Sequence, residues 1–264
     1  MKNVEKIERM HLECLQGMYF SRIIKNTNYA LAFSNLIEDT YYNYCAFLQF
    51  EDGSFLQKWK EIKKNFPSDR TPALYVSPSS DLYGRESVYL TEFQKNYIDA
   101  WMILQEKQYL LGLPKNEEIN VRKIASKKEF EIFVDVFTTA YSGDDPNDPY
   151  GQLSPTYTTS LLNSWECSEE YIKGYYLAFL NGDPAGVATA IRHNNLVAVY
   201  NVGTVSKYRK CGVGAAIMAN IVRDLKVNET LFLQTEKGSQ VEKWYEKMGF
   251  ETLFLGKCYT EKEN

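Results

Sequence analysis

The stretch that decides the fold is residues 196–214, LVAVYNVGTVSKYRKCGVG. Its apolar and β-branched first half predicts a strand over Leu196–Val205. That strand is followed by Arg209-Lys210-Cys211-Gly212-Val213-Gly214 and by apolar residues at helical spacing through Lys226. Glycines at a helix start let successive backbone N–H groups face one point, where the helix dipole favours an anion. The sequence therefore predicts a strand, loop and helix that bind pyrophosphate.

A glycine-rich turn of this kind can also be purely structural, so the motif alone does not prove function. The segment lacks the Gly-Lys-Ser/Thr ending of a P-loop and the early position and spacing of a dinucleotide fingerprint. A second hypothesis for this segment is that Cys211 is a nucleophile, because a helix N-terminus lowers the pKa of a thiol. The alternative is that Cys211 is a loop residue whose backbone binds the ligand.

The segments around this stretch alternate regularly between strands and helices. Ser126–Glu129 and Ser239–Glu242 are capping boxes, and Ser154-Pro155 is an N-cap followed by a first-turn proline. The predicted elements are strand 119–124, helix 126–143, helix 154–161, strands 171–180, 185–192 and 196–205, helix 212–226, strand 231–233, helix 239–249 and strand 250–259. From residue 119 onward the order is therefore βααβββαβαβ.

Composition excludes several classes of protein and ligand. The net charge of −4 carries no Lys/Arg stripe, so neither nucleic acid nor an anionic membrane is expected as a partner. The N-terminus lacks the apolar core of a signal peptide, and no apolar run reaches membrane-spanning length, which predicts a cytoplasmic protein. Five scattered cysteines and two histidines predict free thiols and provide little material for a metal site or a Ser-His-Asp triad.

The first half of the chain is harder to interpret. The polar stretch at residues 113–118 predicts a boundary between a domain at 1–115 and a domain at 116–264. Within the first domain we expect helices at 29–38 and 55–65 and strands at 44–50 and 73–76. No glycine-rich phosphate loop occurs there. Residues 93–98 echo residues 245–250, which suggests a degenerate duplicate of the second half.

The loop motif, the element order and Trp244-Tyr245-Glu246-Lys247-Met248-Gly249-Phe250 together resemble the GNAT superfamily of N-acetyltransferases. The resemblance covers roughly residues 118–260, with Asn201–Val205 matching the strand before the family's CoA loop. It implies an α/β fold with a mixed sheet, of the GNAT acyl-CoA N-acyltransferase type, and leaves open a tandem of two such domains.

The resemblance also implies how acetyl-CoA would bind. Two neighbouring strands, at 199–204 and 231–234, would splay around the pantetheine arm, and one strand N–H would polarise the thioester carbonyl. The cofactor-binding residues would be Val202, Gly203, Thr204, Val205, Arg209, Lys210, Cys211, Gly212, Val213 and Gly214.

Tyr245 occupies the family position whose phenol protonates the departing CoA thiolate, and a phenol is a suitable acid for a leaving thiol. The alternative is that Tyr245 only packs beside Trp244. One departure from the family pattern is Gly238, where the family often has Asn, and this puts a cofactor contact at that position in doubt.

The protonated amine needs a base, and the strand 197–205 offers no carboxylate. The candidates are Asp144, Asp145, Asp148 and Glu236, with His193 as an outsider, and each could equally be a solvated or capping residue. Asp145 and Glu236 are assigned as catalytic beside Tyr245. In the resembled fold the acidic loop borders the acceptor pocket, so Asp144, Asp148, Tyr150 and Tyr157 are assigned to substrate binding.

The function expected from the resemblance is direct transfer of acetyl from acetyl-CoA to a primary amine of a small molecule. Two alternatives stay open, a non-catalytic CoA-binding or regulatory module and an acetyltransferase that acts on a protein amine. The expected partners are acetyl-CoA and the amine acceptor, without a metal, and a homodimer is left open.

Overall fold

The computed structural model describes residues 2–113, 115–143, 152–166 and 170–262. The chain forms two compact units, and each takes segments from separate parts of the sequence. The first unit contains Met1–Trp101, Thr235–Lys237 and Thr252–Asn264, and the second contains Met102–Gln234 and Gly238–Glu251. The domain division at residues 115/116 stays a prediction.

The elements of the first part of the chain are α1 Lys2–Cys14, β1 Arg22–Lys25, β2 Ala30–Phe33, β3 Asn43–Ala46, α2 Phe55–Lys63, β4 Ala73–Val76, α3 Glu86–Tyr89 and β5 Phe93–Leu104. Strands β1, β2 and β3 pair antiparallel in turn, and β3 pairs with β4 in parallel. A parallel pair needs a crossover connection, which α2 provides. Phe55, Trp59 and Ile62 line the buried face of α2 and pack into a core with Leu31 and Leu74.

The structure corrects three sequence expectations in this region. Residues 29–38 do not form a helix, because Ala30–Phe33 is a strand buried at every position. A short apolar run that is buried on both faces has no alternation to separate strand from helix. Strand β3 ends at Ala46 and does not reach residue 50. The echo at residues 93–98 also fails as local structure, since it lies in strand β5 while the matching segment begins in a helix.

The elements of the second part are α4 Lys107–Leu111, β6 Ile119–Lys123, α5 Lys127–Ala140, α6 Pro155–Asn163, β7 Ile172–Leu180, β8 Asp183–His193, β9 Leu196–Thr204, α7 Val213–Arg223, β10 Thr230–Glu236, α8 Gln240–Glu246 and β11 Phe250–Glu261. From β6 onward this is the predicted order βααβββαβαβ, which is confirmed. The mixed α/β fold class is confirmed with it.

Local sequence signals account for most of these boundaries. Ser126 and Ser239 each accept a hydrogen bond from the backbone N–H three residues on, as a capping box requires. Strands β7 and β8 are joined by Asn181-Gly182, both with positive φ (53° and 89°), which is the geometry of a type I′ hairpin turn. Strands β6 to β9 pair antiparallel, and β10 adds to β9 in parallel.

Candidate active site

Strand β9 carries an irregularity directly before its C-terminal end. Its pairing with β8 shifts register between Thr189↔Tyr200 and Val187↔Gly203, so β9 contains one more residue than its partner across this interval. Asn201, at φ 56°, lies in this bulge, and its Nδ2 donates to Thr189 Oγ1 at 3.1 Å. A β-bulge bends and twists its strand. The end of β9 is therefore redirected at the position where the cofactor is expected.

The parallel pairing of β9 with β10 covers only the first part of both strands. The register runs from Leu196↔Thr230 to Val199↔Leu233, while β9 continues to Thr204. Ligands of α/β proteins bind at the carboxyl ends of parallel strands, where an extended group can lie between them. The register therefore ends where a splay of the two strands is expected, and the splay itself stays a prediction.

The end of β9 is held against the C-terminal end of α5. Tyr141, the residue after α5, donates its hydroxyl to the carbonyl of Val202 at 2.9 Å. The N–H of Val205 donates to the carbonyl of Ala185 at 3.0 Å. The carbonyl of Val202 thus already accepts one bond, and the N–H of Val205 is not available to a pantetheine arm.

The side chain of Arg209 has a role that the sequence did not indicate. Its Nε donates to the carbonyl of Thr204 at 3.2 Å, and its Nη2 donates to the carbonyl of Ala140 at 3.0 Å. Ala140 is the last residue of α5, and a helix C-terminus favours a cation. The backbone N–H of Arg209 donates to the carbonyl of Ser206 at 3.2 Å. Arg209 therefore fixes the loop to the end of α5, and since its N–H is already bonded, the N–H groups of the motif that are candidates for the anion begin at Lys210.

The loop then turns so that backbone N–H groups lead into α7. Lys210 and Gly212 have φ of 63° and 91°, in the left-handed region that favours glycine. Gly212 is the N-cap of α7 and makes no side-chain cap bond, and Ala216 N–H donates to the Gly212 carbonyl at 2.9 Å. The first N–H groups of a helix have no partner within it. The start of α7 therefore offers backbone donors that suit an anion, and anion binding there stays a prediction.

Cys211 lies on the exposed outer part of this loop as a free thiol. Its Sγ lies 3.6 Å from the carbonyl of Arg209, and its own carbonyl accepts from Asn116 Nδ2 at 3.3 Å. Among the described residues this contact anchors the outer part of the loop to the segment before β6.

Helix α8 packs against the first turn of α7. A Cβ built on Gly214 would lie 2.9 Å from Cζ2 and 3.1 Å from Cη2 of Trp244. Tyr245 is 5% exposed, and its ring lies 4.8 Å from that of Trp244 and 5.5 Å from that of Phe250. Tyr245 therefore packs beside Trp244, as the structural alternative to a catalytic role requires, and it lies in the helix that contacts the start of α7. Its role as an acid stays a prediction.

Gly238 precedes α8 with φ of 85°, and no atom lies within 4 Å of a Cβ built there. Its N–H donates to Glu242 Oε2 at 2.6 Å. Asn is the other residue that tolerates this left-handed conformation. The departure from the family pattern therefore preserves the backbone and removes only a side chain.

The remaining predicted residues are not brought together by the described structure. Asp144, Asp145, Asp148 and Tyr150 lie outside the described residues. Tyr157 is buried on α6, and Glu236 is half-buried at the end of β10, in a segment of the first unit. His193 Nδ1 lies 3.4 Å from the carbonyl of Glu170. The assignment of a base stays a prediction.

Within the described parts of the chain, no group of three or more His, Cys, Asp or Glu side chains could hold a metal ion. No helix of these parts is both long and apolar enough to cross a bilayer.

Comparison with known proteins places this geometry in a class. Residues 172–252 match the family model described as the acetyltransferase (GNAT) domain. No curated protein sequence matches the chain. Among solved structures, the GCN5-related N-acetyltransferase from Kribbella flavida aligns with a TM-score of 0.67 and 15% identity, covering 98% of this chain and 95% of that chain.

Two further structures share the fold at similarly low identity. The GCN5-related N-acetyltransferase from Sphaerobacter thermophilus aligns with a TM-score of 0.56 and 14% identity, covering 89% of this chain and 80% of that chain. A tandem GNAT protein from the clavulanic acid biosynthesis pathway aligns with a TM-score of 0.59 and 10% identity, covering 88% and 77%.

The fold is therefore that of GNAT acetyltransferases, a tandem member included. Residues 172–252, which contain β9, the loop and α7, match the model of the GNAT domain. A GNAT domain with this fold implies acyl transfer from an acyl-CoA.

Proposed function

We propose that this protein transfers the acetyl group of acetyl-CoA to the primary amine of a small molecule, by direct attack in a ternary complex. The observation that carries the proposal is the bulged end of β9, which extends beyond its pairing with β10 and is followed by the uncapped N-terminus of α7. The end of β9 suits an extended pantetheine arm, and the helix start suits the pyrophosphate.

The cofactor would bind along this path. The N–H groups from Lys210 to Gly214 would hold the pyrophosphate, and the backbone around Gly203 and Thr204 would bond the arm. Val202 and Val205 would border the arm chiefly by packing, because Val202 O and Val205 N–H are already bonded within the protein. A strand N–H near the thioester would stabilise the oxyanion that develops on its carbonyl.

The chemistry needs one proton removed and one delivered. The neutral amine attacks the thioester carbon, its proton passes to a base, the C–S bond breaks, and Tyr245 protonates the departing thiolate. The base would be Asp145, Glu236 or a water chain. Asp144, Asp148, Tyr150 and Tyr157 would form the walls of the acceptor pocket. Transfer is direct, so Cys211 carries no acyl group.

The test is a thiol-release assay with acetyl-CoA over a panel of small amines. Replacing Tyr245→Phe should lower turnover far more than it changes acetyl-CoA affinity. The matched control is Tyr176→Phe. The Tyr176 hydroxyl donates to Asp224 Oδ2 at 2.6 Å, and Asp224 directly follows Arg223, the last residue of α7. Unchanged turnover in Tyr245→Phe would remove this tyrosine from the mechanism.

A second function is a non-catalytic CoA-binding or regulatory module, which is favoured by the absence of any carboxylate from Val197–Val205. Binding of acetyl-CoA without thiol release for any acceptor would support it. A panel that includes lysine peptides and peptide N-termini separates a protein acceptor from a small one. A cytoplasmic location and a homodimer stay predictions.

A further inference from the structure

We propose that the first unit carries a second ligand pocket, formed at the carboxyl ends of β3 and β4, which takes a small carboxylic acid and not an acyl-CoA. Every residue that the argument uses lies in the first unit. The pocket is separate from the acyl-CoA site in sequence and in chemistry.

The topology that creates this pocket repeats that of β9, α7 and β10. Strands β3 and β4 are parallel and joined through α2, and their register covers only Tyr44↔Ala73 and Cys45↔Leu74. Both strands continue past that register, to Ala46 and Val76. A topology of this kind places a ligand at the carboxyl ends of the strands.

A cavity of about 370 Å³ lies at these ends. It is lined by Phe47 and Gln49, which follow β3, and by Pro78 and Ser79, which follow β4. Helix α1 and the turn between β1 and β2 close its other sides. Small-molecule pockets have volumes of about 300–1,000 Å³, so this cavity suits a compact ligand.

The loop that leads into α2 argues against a pyrophosphate. This loop carries Glu51 and Asp52, and at the N-cap and in the first turn, where α7 has Gly212 and Gly214, α2 has Ser54 and Leu56. Asp52 is bonded to Arg85 and accepts from the Tyr89 hydroxyl at 2.9 Å. A phosphate group brought to this loop would approach the carboxylates of Glu51 and Asp52, of which Asp52 is paired with Arg85. The loop is therefore less suited to a pyrophosphate than the start of α7.

The lining of the cavity carries two cationic side chains, Arg9 and Lys25, against one carboxylate, Glu5. Arg9 binds Glu5 through Nε and Nη2, at 2.8 and 2.7 Å, which leaves Nη1 for a ligand. Lys25 pairs with Glu13 and has further N–H donors. Because Asn26 Oδ1 accepts from two backbone N–H groups, its NH₂ is the remaining polar group. Donors of this kind recognise a carboxylate through charge-assisted hydrogen bonds.

Two features of the cavity indicate that it is built for a ligand. Phe47 has φ of 56°, a strained conformation for an aromatic residue, and such strain clusters at ligand sites. Its ring also lies 4.8 Å from the Arg9 guanidinium carbon and holds that side chain in place. The carboxyl of Glu8 is buried and bonded to Ser79, one of the lining residues.

The test uses the full chain and calorimetric titration with succinate, citrate, glutamate, inorganic phosphate and acetyl-CoA. At least one of the three carboxylates should bind, and Arg9→Gln with Lys25→Gln should weaken it at least about tenfold, as expected for loss of charge-assisted bonds. Arg22→Gln is the matched control, because Arg22 is exposed on β1 and outside the cavity lining. Circular dichroism melts establish that each variant is folded.

Acetyl-CoA binding should be unchanged in the double variant, so this proposal and the proposed function fail independently. The proposal is overturned if none of the three carboxylates binds at concentrations up to about 10 mM. It is also overturned if phosphate binds and the carboxylates do not, or if carboxylate binding survives the double substitution.

Discussion

Gly214, in the first turn of α7, lies directly against the indole of Trp244, the residue before Tyr245 in α8. A Cβ at position 214 would approach Trp244 Cζ2 to 2.9 Å, closer than carbon atoms normally pack. The second glycine of the motif is thus explained by the packing of two helices. This contact connects the anion loop to the helix that carries the candidate acid.

Replacing Gly214→Ala should destabilise the protein and weaken acetyl-CoA binding. Overpacking costs about 1–3 kcal/mol, and the better helix propensity of Ala offsets at most about 1 kcal/mol. With that full offset, the net loss is up to about 2 kcal/mol. Equilibrium unfolding and calorimetric titration measure the two effects. The double variant with Trp244→Phe removes the clashing ring atoms and should recover most of the loss; no recovery would show that Trp244 is not the cause.

Arg209→Lys should raise KM for acetyl-CoA by about tenfold, with a smaller effect on kcat. An ammonium group cannot reproduce the fork that bonds Thr204 and Ala140 together, so the loop before α7 loses its position. Arg223→Lys is the matched control, since Arg223 is exposed at the other end of α7. Equal kinetics in the two variants would contradict a positioning role for Arg209.

Thr235→Val should stabilise the protein by about 1 kcal/mol. Thr235 Oγ1 is the buried side-chain oxygen of the described residues that has no hydrogen-bond partner, and such an atom carries a desolvation cost. Valine has the same shape and no hydroxyl. Thr189→Val is the comparison, because Thr189 Oγ1 accepts from Asn201 and its loss should destabilise. Thermal melts of both variants measure these changes. A loss of stability in Thr235→Val would contradict a desolvation cost at the Thr235 hydroxyl.

Glu8→Gln should change how stability depends on pH. Burial raises the pKa of Glu8 from 4.5 to about 7. The folded state therefore holds a proton that the unfolded state releases, so wild-type stability contributed by this group is lost as pH rises from 4.5 through 7. The pKa shift corresponds to about 3 kcal/mol.

The measurement is urea unfolding of wild type and Glu8→Gln at pH 5 and pH 8. The free energy of unfolding of the variant, relative to that of the wild type, should rise between pH 5 and pH 8. Burial also lowers the pKa of His11 to about 3, which acts in the opposite direction, but His11 is present in both proteins and cancels in the difference. Glu61→Gln, at an exposed position of α2, is the control. A difference that does not vary with pH would contradict the burial of a protonated Glu8.

How far sequence predicts this structure depends on whether the signal is local. Caps such as Ser239 and turns such as Asn181-Gly182 are set by neighbouring residues, so the second half was predicted element by element. The strand Ala30–Phe33 was missed because its burial on both faces comes from the assembled core.

The same distinction holds for the candidate site. The anion loop follows from its own glycines and the helix after it. The bonds of Arg209 to Ala140 and of Tyr141 to Val202 join residues more than sixty positions apart, so no local pattern could indicate them. An asparagine within the apolar strand, Asn201, was the available signal for the bulge.

The central claim is that the end of β9, the loop and the start of α7 hold acyl-CoA, and hydrogen–deuterium exchange with and without acetyl-CoA tests it most directly. We expect acetyl-CoA to slow exchange in residues 202–216, whereas exchange in residues 47–54 of the first unit should be unaffected. Protection that leaves 202–216 unchanged, or appears at 47–54 instead, would contradict it.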